Sequence, residues 1–178
     1  PTEVKPMLIM ETLDNIRKSI TEMINSDVEE MEKNEKVCFL RNSMNQTIGD
    51  YLYGVKLKLD KEIYGLDIVK EQILFVLNNK ITNPDIKETA VAVVGPPGTG
   101  KTAIIQALAK AIELPLSQIS LGGAKDASFL DGHSYTYEGS TPGAVVQAMK
   151  NMKYQNGILY FDEFDKISET QYGAEVSK

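Results

Sequence analysis

The chain has 178 residues, of which 42% are hydrophobic and 25% charged, with a formal net charge of −6. Such length and apolar content suit a globular domain with an appendage and exclude a disordered chain. The acidic balance argues against an electrostatically driven nucleic-acid or anionic-membrane surface, because both require clustered Lys and Arg.

Between residues 9 and 31 the apolar positions are Ile9, Leu13, Ile16, Ile20 and Met23, followed one step out of phase by Ile24, Val28 and Met31. This predicts one long amphipathic helix, and fewer than four clean heptads with a phase break favour a packed or linker helix over a coiled coil. The acidic residues Asp27, Glu29, Glu30, Glu32 and Glu35 read as a solvated face. Cys38, the single cysteine, cannot form an internal disulfide, and its setting Val37-Cys38-Phe39-Leu40 predicts buried filler in place of a reactive thiol. The polar stretch Arg41-Asn42-Ser43-Met44-Asn45 predicts a break and an N-cap for a second helix carrying Ile48, Tyr51, Leu52 and Val55. Asp67 is placed to cap a third helix with Val69, Ile73, Val76 and Leu77 on one face, closed by Asn78-Asn79. Asn83-Pro84-Asp85 marks a turn.

The apolar run Thr89-Ala90-Val91-Ala92-Val93-Val94 predicts a buried strand, and it leads into Gly95-Pro96-Pro97-Gly98-Thr99-Gly100-Lys101-Thr102. Ala103 follows, and Ile104, Ile105, Leu108 and Ile112 recur at helical spacing. Strand, glycine loop and helix together form the context of a phosphate-binding (Walker A) loop. Its glycines let backbone N–H groups surround phosphate oxygens, Lys101 can reach the β- and γ-phosphates, and the Thr102 hydroxyl can bind Mg²⁺.

Residues 116–121 predict a further strand, stopped by Gly122-Gly123. Residues 131–140 read as a loop, and Thr141-Pro142 supplies an N-cap and first-turn proline for a helix through Met152. Asn156-Gly157 then turns into Ile158-Leu159-Tyr160-Phe161, an apolar strand ending in Asp162-Glu163. This is a Walker B pattern. Asp162 would hold the Mg²⁺ shell directly or through water, and Glu163 would polarise the water that attacks the γ-phosphate. The alternation predicts an α/β P-loop fold, a mostly parallel sheet covered by helices on both faces and preceded by a helical segment.

Beyond these motifs, residues 59–166 resemble the ATPase module of the Lon family of AAA+ proteins. The resemblance rests on Ile63-Tyr64-Gly65-Leu66-Asp67, Ile119-Ser120-Leu121-Gly122-Gly123, Gly132-His133, Thr136-Tyr137-Glu138-Gly139-Ser140-Thr141-Pro142-Gly143 and Asp162-Glu163-Phe164-Asp165-Lys166. It implies that Tyr64 and Gly65 lie near the adenine, with core packing the alternative role for Tyr64. It also implies that Tyr137 and Glu138 belong to a pore loop gripping an unfolded polypeptide. Glu138 stands where the family usually has an aliphatic residue, and Ser134 and Tyr135 replace the usual arginine pair. His133 is read as a loop hydrogen-bonding residue, neither catalytic nor a metal ligand.

The implied organisation is a helical or linker segment at 1–58 and the large α/β part of a AAA+ domain at 59–178, incomplete at its C-terminus. The remaining strands, the arginine finger, the lid and the Ser-Lys protease dyad are not expected within this chain. The expected ligands are ATP or ADP with Mg²⁺, the expected substrate a polypeptide, and the expected assembly a homo-hexamer at full length. No specific nucleic acid and no membrane are expected as partners. An intracellular, soluble setting is expected: the cytoplasm, the host cytoplasm for a large-DNA-virus protein, or an organelle matrix. Two rival readings are a protein-remodelling AAA+ ATPase without a protease and an ATP-binding assembly module with negligible turnover.

Overall fold

Val37, Ile48, Val55 and Leu59 fall on one stripe at helical spacing, and they are the buried residues of a single helix, α2 (Glu30–Glu62). The computed structural model describes residues 3–5, 7–86, 90–122, 128–131 and 142–166. Two compact units make up the chain, one formed by Pro6–Lys101 and the other by Thr102–Lys178 with Pro1–Lys5.

The first unit contains α1 (Leu8–Ile24), α2 and α3 (Asp67–Thr82). Ile9 and Leu13 of α1, Ile48 of α2 and Ile81 of α3 form its core, with Met44, Tyr51, Leu52 and Leu77 packed around them. The helix expected across residues 9–31 ends at Ile24, where the Ser26 hydroxyl donates back to the Met23 carbonyl at 2.6 Å. The phase break in the apolar pattern therefore marks a boundary between two helices.

The break expected at 41–45 is absent, because α2 continues through it and its polar side chains turn back onto the helix. Asn42 Nδ2 reaches Cys38 Sγ at 3.8 Å, and the Thr47 hydroxyl donates to the Ser43 carbonyl at 2.9 Å. Position 58, read as the end of the helical segment, falls inside α2. Cys38 is exposed, contrary to its expected burial, since it sits about 100° around the helix from Val37.

Asp67 opens α3 from its first turn and makes no capping bond; Leu66 occupies the N-cap position in a left-handed conformation, φ 56°. Asn78 and Asn79 do not close α3, which runs on to Thr82, because Asn79 lends its carbonyl to the Asn83 N–H. Lys70 is only 3% exposed, and its ammonium donates to Asp60 Oδ1 at 2.8 Å and to the Ile63 carbonyl at 2.7 Å. This buried cation pins the end of α2 to the start of α3.

The strand expected before the glycine loop does not form among residues 90–94, and Val94 is 93% exposed. A strand needs a ladder partner for its N–H and C=O groups, and the unit holding these residues contains no described strand.

In the second unit, α4 (Lys101–Ala111) buries Ile104, Ala107, Ala109 and Ala111, and Ile112 just past its end is also buried. Strand β1 (Leu116–Ser120) pairs in parallel with β2 (Ile158–Asp162), in a register that sets Gln118 opposite Tyr160 and Ser120 opposite Asp162. Between them lie α5 (Ser128–Asp131) and α6 (Ala144–Met152), the crossover that a parallel pair requires. Pro142 precedes α6, whose N-cap is Gly143 without a side-chain cap, so the proline ends the approach to the helix and is not its first turn.

Ile119 and Leu121 pack with Ala148 of α6, and Leu159 of β2 joins them. Phe161 is 39% exposed, so β2 is less buried than its apolar run predicts. Asn156 exchanges hydrogen bonds with the Lys5 backbone at 2.8 and 3.0 Å, which ties the chain's start to the turn before β2. No described helix is long and apolar enough to cross a membrane.

Candidate functional site

Gly98 and Gly100 take φ values of 77° and 85°, on either side of Thr99. Left-handed residues alternating with right-handed ones turn successive N–H groups to one side, which is how a backbone concavity for anions is made. The Thr99 hydroxyl donates to the Pro96 carbonyl at 2.8 Å, and Lys101 Nζ donates to the carbonyls of Gly95 and Pro96 at 2.8 and 2.7 Å. The motif's one cation thus closes the loop, and α4 begins at that same residue. A helix N-terminus following such a loop favours phosphate.

Thr102, next in sequence, belongs to the second unit and meets the end of β2 there. Its Oγ1 lies 3.3 Å from the Tyr160 hydroxyl, and that hydroxyl donates to Asp162 Oδ1 at 3.1 Å. Asp162 also accepts from the Glu163 N–H at 2.9 Å on Oδ1 and from Gln118 Nε2 at 2.9 Å on Oδ2. The two residues read as metal ligands, Thr102 and Asp162, are therefore brought together through one phenol.

Strand alternation would send Glu163 to the opposite face from Asp162. Its φ of 59° breaks the alternation, and its carboxylate accepts from the Ser120 hydroxyl at 2.8 Å on Oε2 and pairs with Lys166 Nζ on Oε1. A left-handed non-glycine residue costs on the order of 1–3 kcal/mol and persists where its surroundings over-determine it. Ser120 and Lys166 are that surrounding here. Lys166 beside it, and then the Ser120 hydroxyl, hold the Glu163 carboxyl below its ordinary value by stabilising its charged form. Lys166 is correspondingly raised, chiefly by Glu163.

Gly122 closes this corner, since a Cβ there would collide with the Glu163 carboxylate. Sequence reading missed Gln118, Ser120, Gly122, Tyr160 and Lys166 as site residues. For Tyr160 the signal was present in its position two before Asp162 on the same strand face. For Gln118 and Ser120 it required knowing the β1–β2 register.

Tyr64 is fully exposed, which removes core packing as its role, and Gly65 and Leu66 after it take left-handed conformations, φ 68° and 56°. Tyr137, Glu138 and His133 lie outside the described residues.

Residues 91–178 match the family described as "ATPase family associated with various cellular activities (AAA)". The chain is 38% identical over 122 residues to the Lon protease of Ureaplasma parvum serovar 3, covering 68% of this chain and 15% of that protein. The chain belongs to the AAA ATPases, as a Lon-like member. Two further Lon relatives show how far the likeness runs. The Helicobacter pylori Lon protease is 32% identical over 192 aligned positions, covering 98% of this chain and 23% of that protein. The Lon protease homolog of Acanthamoeba polyphaga mimivirus is 34% identical over 130 residues, 73% of this chain and 13% of that protein. This Lon-like chain spans less than a quarter of each.

Membership in the AAA family implies ATP as the nucleotide and typically Mg²⁺ with it. The donor set fits that ion. A hydroxyl and a carboxylate are hard oxygen donors, and Mg²⁺ is usually held by one or two carboxylates plus substrate phosphates and water. Among the described residues no group of three or more His, Cys, Asp or Glu forms an all-protein metal cage.

Proposed function

We propose that this chain binds ATP with Mg²⁺ and hydrolyses it, as part of a Lon-like motor that unfolds or translocates protein substrates for ATP-dependent proteolysis. In this reading residues 95–103 cradle the phosphates, and Lys101 leaves the Gly95 and Pro96 carbonyls for the β- and γ-phosphates. Thr102 and Asp162 hold the metal, which when bound neutralises charge on the β- and γ-phosphate oxygens. Glu163 orients the attacking water and accepts its proton. Tyr64 and Gly65 border the adenine, and Tyr137 with Glu138 meets the polypeptide.

The observation that carries this reading is the grip on Glu163. Ser120 and Lys166 fix the Glu163 carboxylate in place one residue beyond Asp162, which Tyr160 joins to Thr102, so a positioned carboxylate stands next to the pair read as metal ligands. Residues 1–58 serve as a helical linker to the AAA+ part at 59–178, and the working assembly is a homo-hexamer in the full-length protein.

A Glu163→Gln variant tests the proposal. It should keep ATP affinity while phosphate release falls about 10²- to 10⁴-fold, the range for loss of a general base. A parent chain that binds ATP but has no hydrolysis to lose would favour the assembly-module reading instead.

A further inference from the structure

We infer that Tyr160 is a positioning residue for the divalent cation, holding Thr102 and Asp162 in a metal-ready arrangement before ion and nucleotide arrive. This rests on the nucleotide-site reading above. The phenol carries a single proton, and the Asp162 carboxylate can only accept. Tyr160 therefore donates to Asp162 Oδ1, and the contact of 3.3 Å with Thr102 must run from the Thr102 hydroxyl to the phenol oxygen. The chain of bonds is polarised in one direction.

That direction matters for both ends. With its proton committed to Tyr160, Thr102 Oγ1 keeps its lone pairs turned elsewhere, and lone pairs are what a hydroxyl offers a cation. A carboxylate has about four lone-pair sites. In Asp162, Oδ1 already accepts from Tyr160 and from the Glu163 N–H, and Oδ2 accepts from Gln118, so the remaining capacity lies on Oδ2. The hydrogen bonds thus choose which oxygen faces the ion or its bound water. Tyr160 also spans α4 and β2, the two elements that carry the ligands, so its hydroxyl fixes their spacing as well as their orientation.

Tyr160→Phe removes only the hydroxyl. Binding of a fluorescent ADP analogue to the whole chain is measured across a MgCl₂ titration and again in EDTA, beside a thermal melt. We expect the affinity in EDTA and the melting temperature to stay at parent values, while the Mg²⁺ midpoint rises about 10- to 100-fold, the range for loss of an outer-shell partner of a metal ligand. A parent-like Mg²⁺ midpoint overturns the inference alone. Equal loss of affinity with and without Mg²⁺ also overturns it, because Tyr160 would then support the pocket and not the ion. If the parent chain binds no nucleotide under either condition, the nucleotide reading falls and this inference with it. Should Tyr160→Phe fail to melt cooperatively, Tyr160→Met, a flexible apolar filler, takes its place in the same titration.

Discussion

A side chain at Gly122 and the carboxylate of Glu163 would occupy the same space. The left-handed turn at Glu163 brings its carboxylate back over β1, and it fits there because position 122 has no Cβ. Gly122→Ala should therefore fold, since the displaced atoms are the mobile end of a side chain, but the carboxylate must leave Ser120 or Lys166. We expect ATP affinity to hold and hydrolysis to drop about 10²-fold, the cost of an ångström-scale misplacement near the chemistry. A steady-state phosphate assay beside nucleotide titration checks this, and unchanged turnover would show that the grip on Glu163 is irrelevant to catalysis.

Lys101 is braced on the Gly95 and Pro96 carbonyls at 2.8 and 2.7 Å, so in this arrangement the ammonium holds its own loop together. Lys101→Ala removes both that brace and the cation meant for the phosphates. Hydrogen bonds to charged groups contribute roughly 1.5–3 kcal/mol each, so ATP affinity should fall by at least about 10- to 100-fold. Calorimetric titration with ATP is the measurement. Parent-like affinity would remove residues 95–102 from the nucleotide site.

The parts legible in the sequence were those whose signal is local. β2 ends at Asp162 as its apolar run predicts, β1 falls within one residue of its expected end, and α6 stops at Met152 as read. Errors arose where the outcome depends on partners. Residues 41–45 look like a cap in isolation, yet inside α2 the Asn42 amide turns back to Cys38 Sγ and the Ser43 carbonyl accepts from the Thr47 hydroxyl, and the helix runs through. The apolar run at 90–94 has strand composition without a strand beside it. Cys38 was judged by its apolar neighbours in sequence, although one helical step rotates it off the Val37 stripe. At the site, Asp162 and Glu163 were recognisable from their order, but the residues that hold them come from across β1 and from one turn beyond, and only the fold connects them.

Leu13 is fully buried at the meeting of α1 with Ile48 of α2 and Ile81 of α3. Leu13→Ala should lower the unfolding free energy of the helical unit by about 2–5 kcal/mol, the range for a leucine cut back inside a packed core. Thr102, Tyr160 and Asp162, the proposed Mg²⁺ cluster, belong to the other unit, so the Mg²⁺ midpoint of nucleotide binding should remain at its parent value. Urea unfolding followed by far-UV circular dichroism measures the first effect. A change of a few tenths of a kcal/mol would mean that α1 does not depend on this packing.

The Asp60–Lys70 pair gives the helical unit a pH dependence with a definite sign. Lys70 is buried and donates to Asp60 at 2.8 Å, and this bond holds the Asp60 carboxyl below the usual value of 3.8. A carboxyl lowered in the folded state adds stability that is fully present above its unfolded value and is lost as pH falls through its folded value. Stability from this pair should thus be level from neutral pH down to about pH 5 and decline below the ordinary carboxylate range. Asp60→Asn removes the titrating group while Lys70 stays buried, its ammonium still donating to the Ile63 carbonyl at 2.7 Å. The variant should unfold at lower urea than the parent at pH 7, and the gap should narrow steadily toward pH 3 as the parent's own carboxylate is protonated. Urea midpoints for both proteins at pH 7, 5, 4 and 3 decide it, and a gap independent of pH would show that the Asp60 charge contributes nothing to joining α2 and α3.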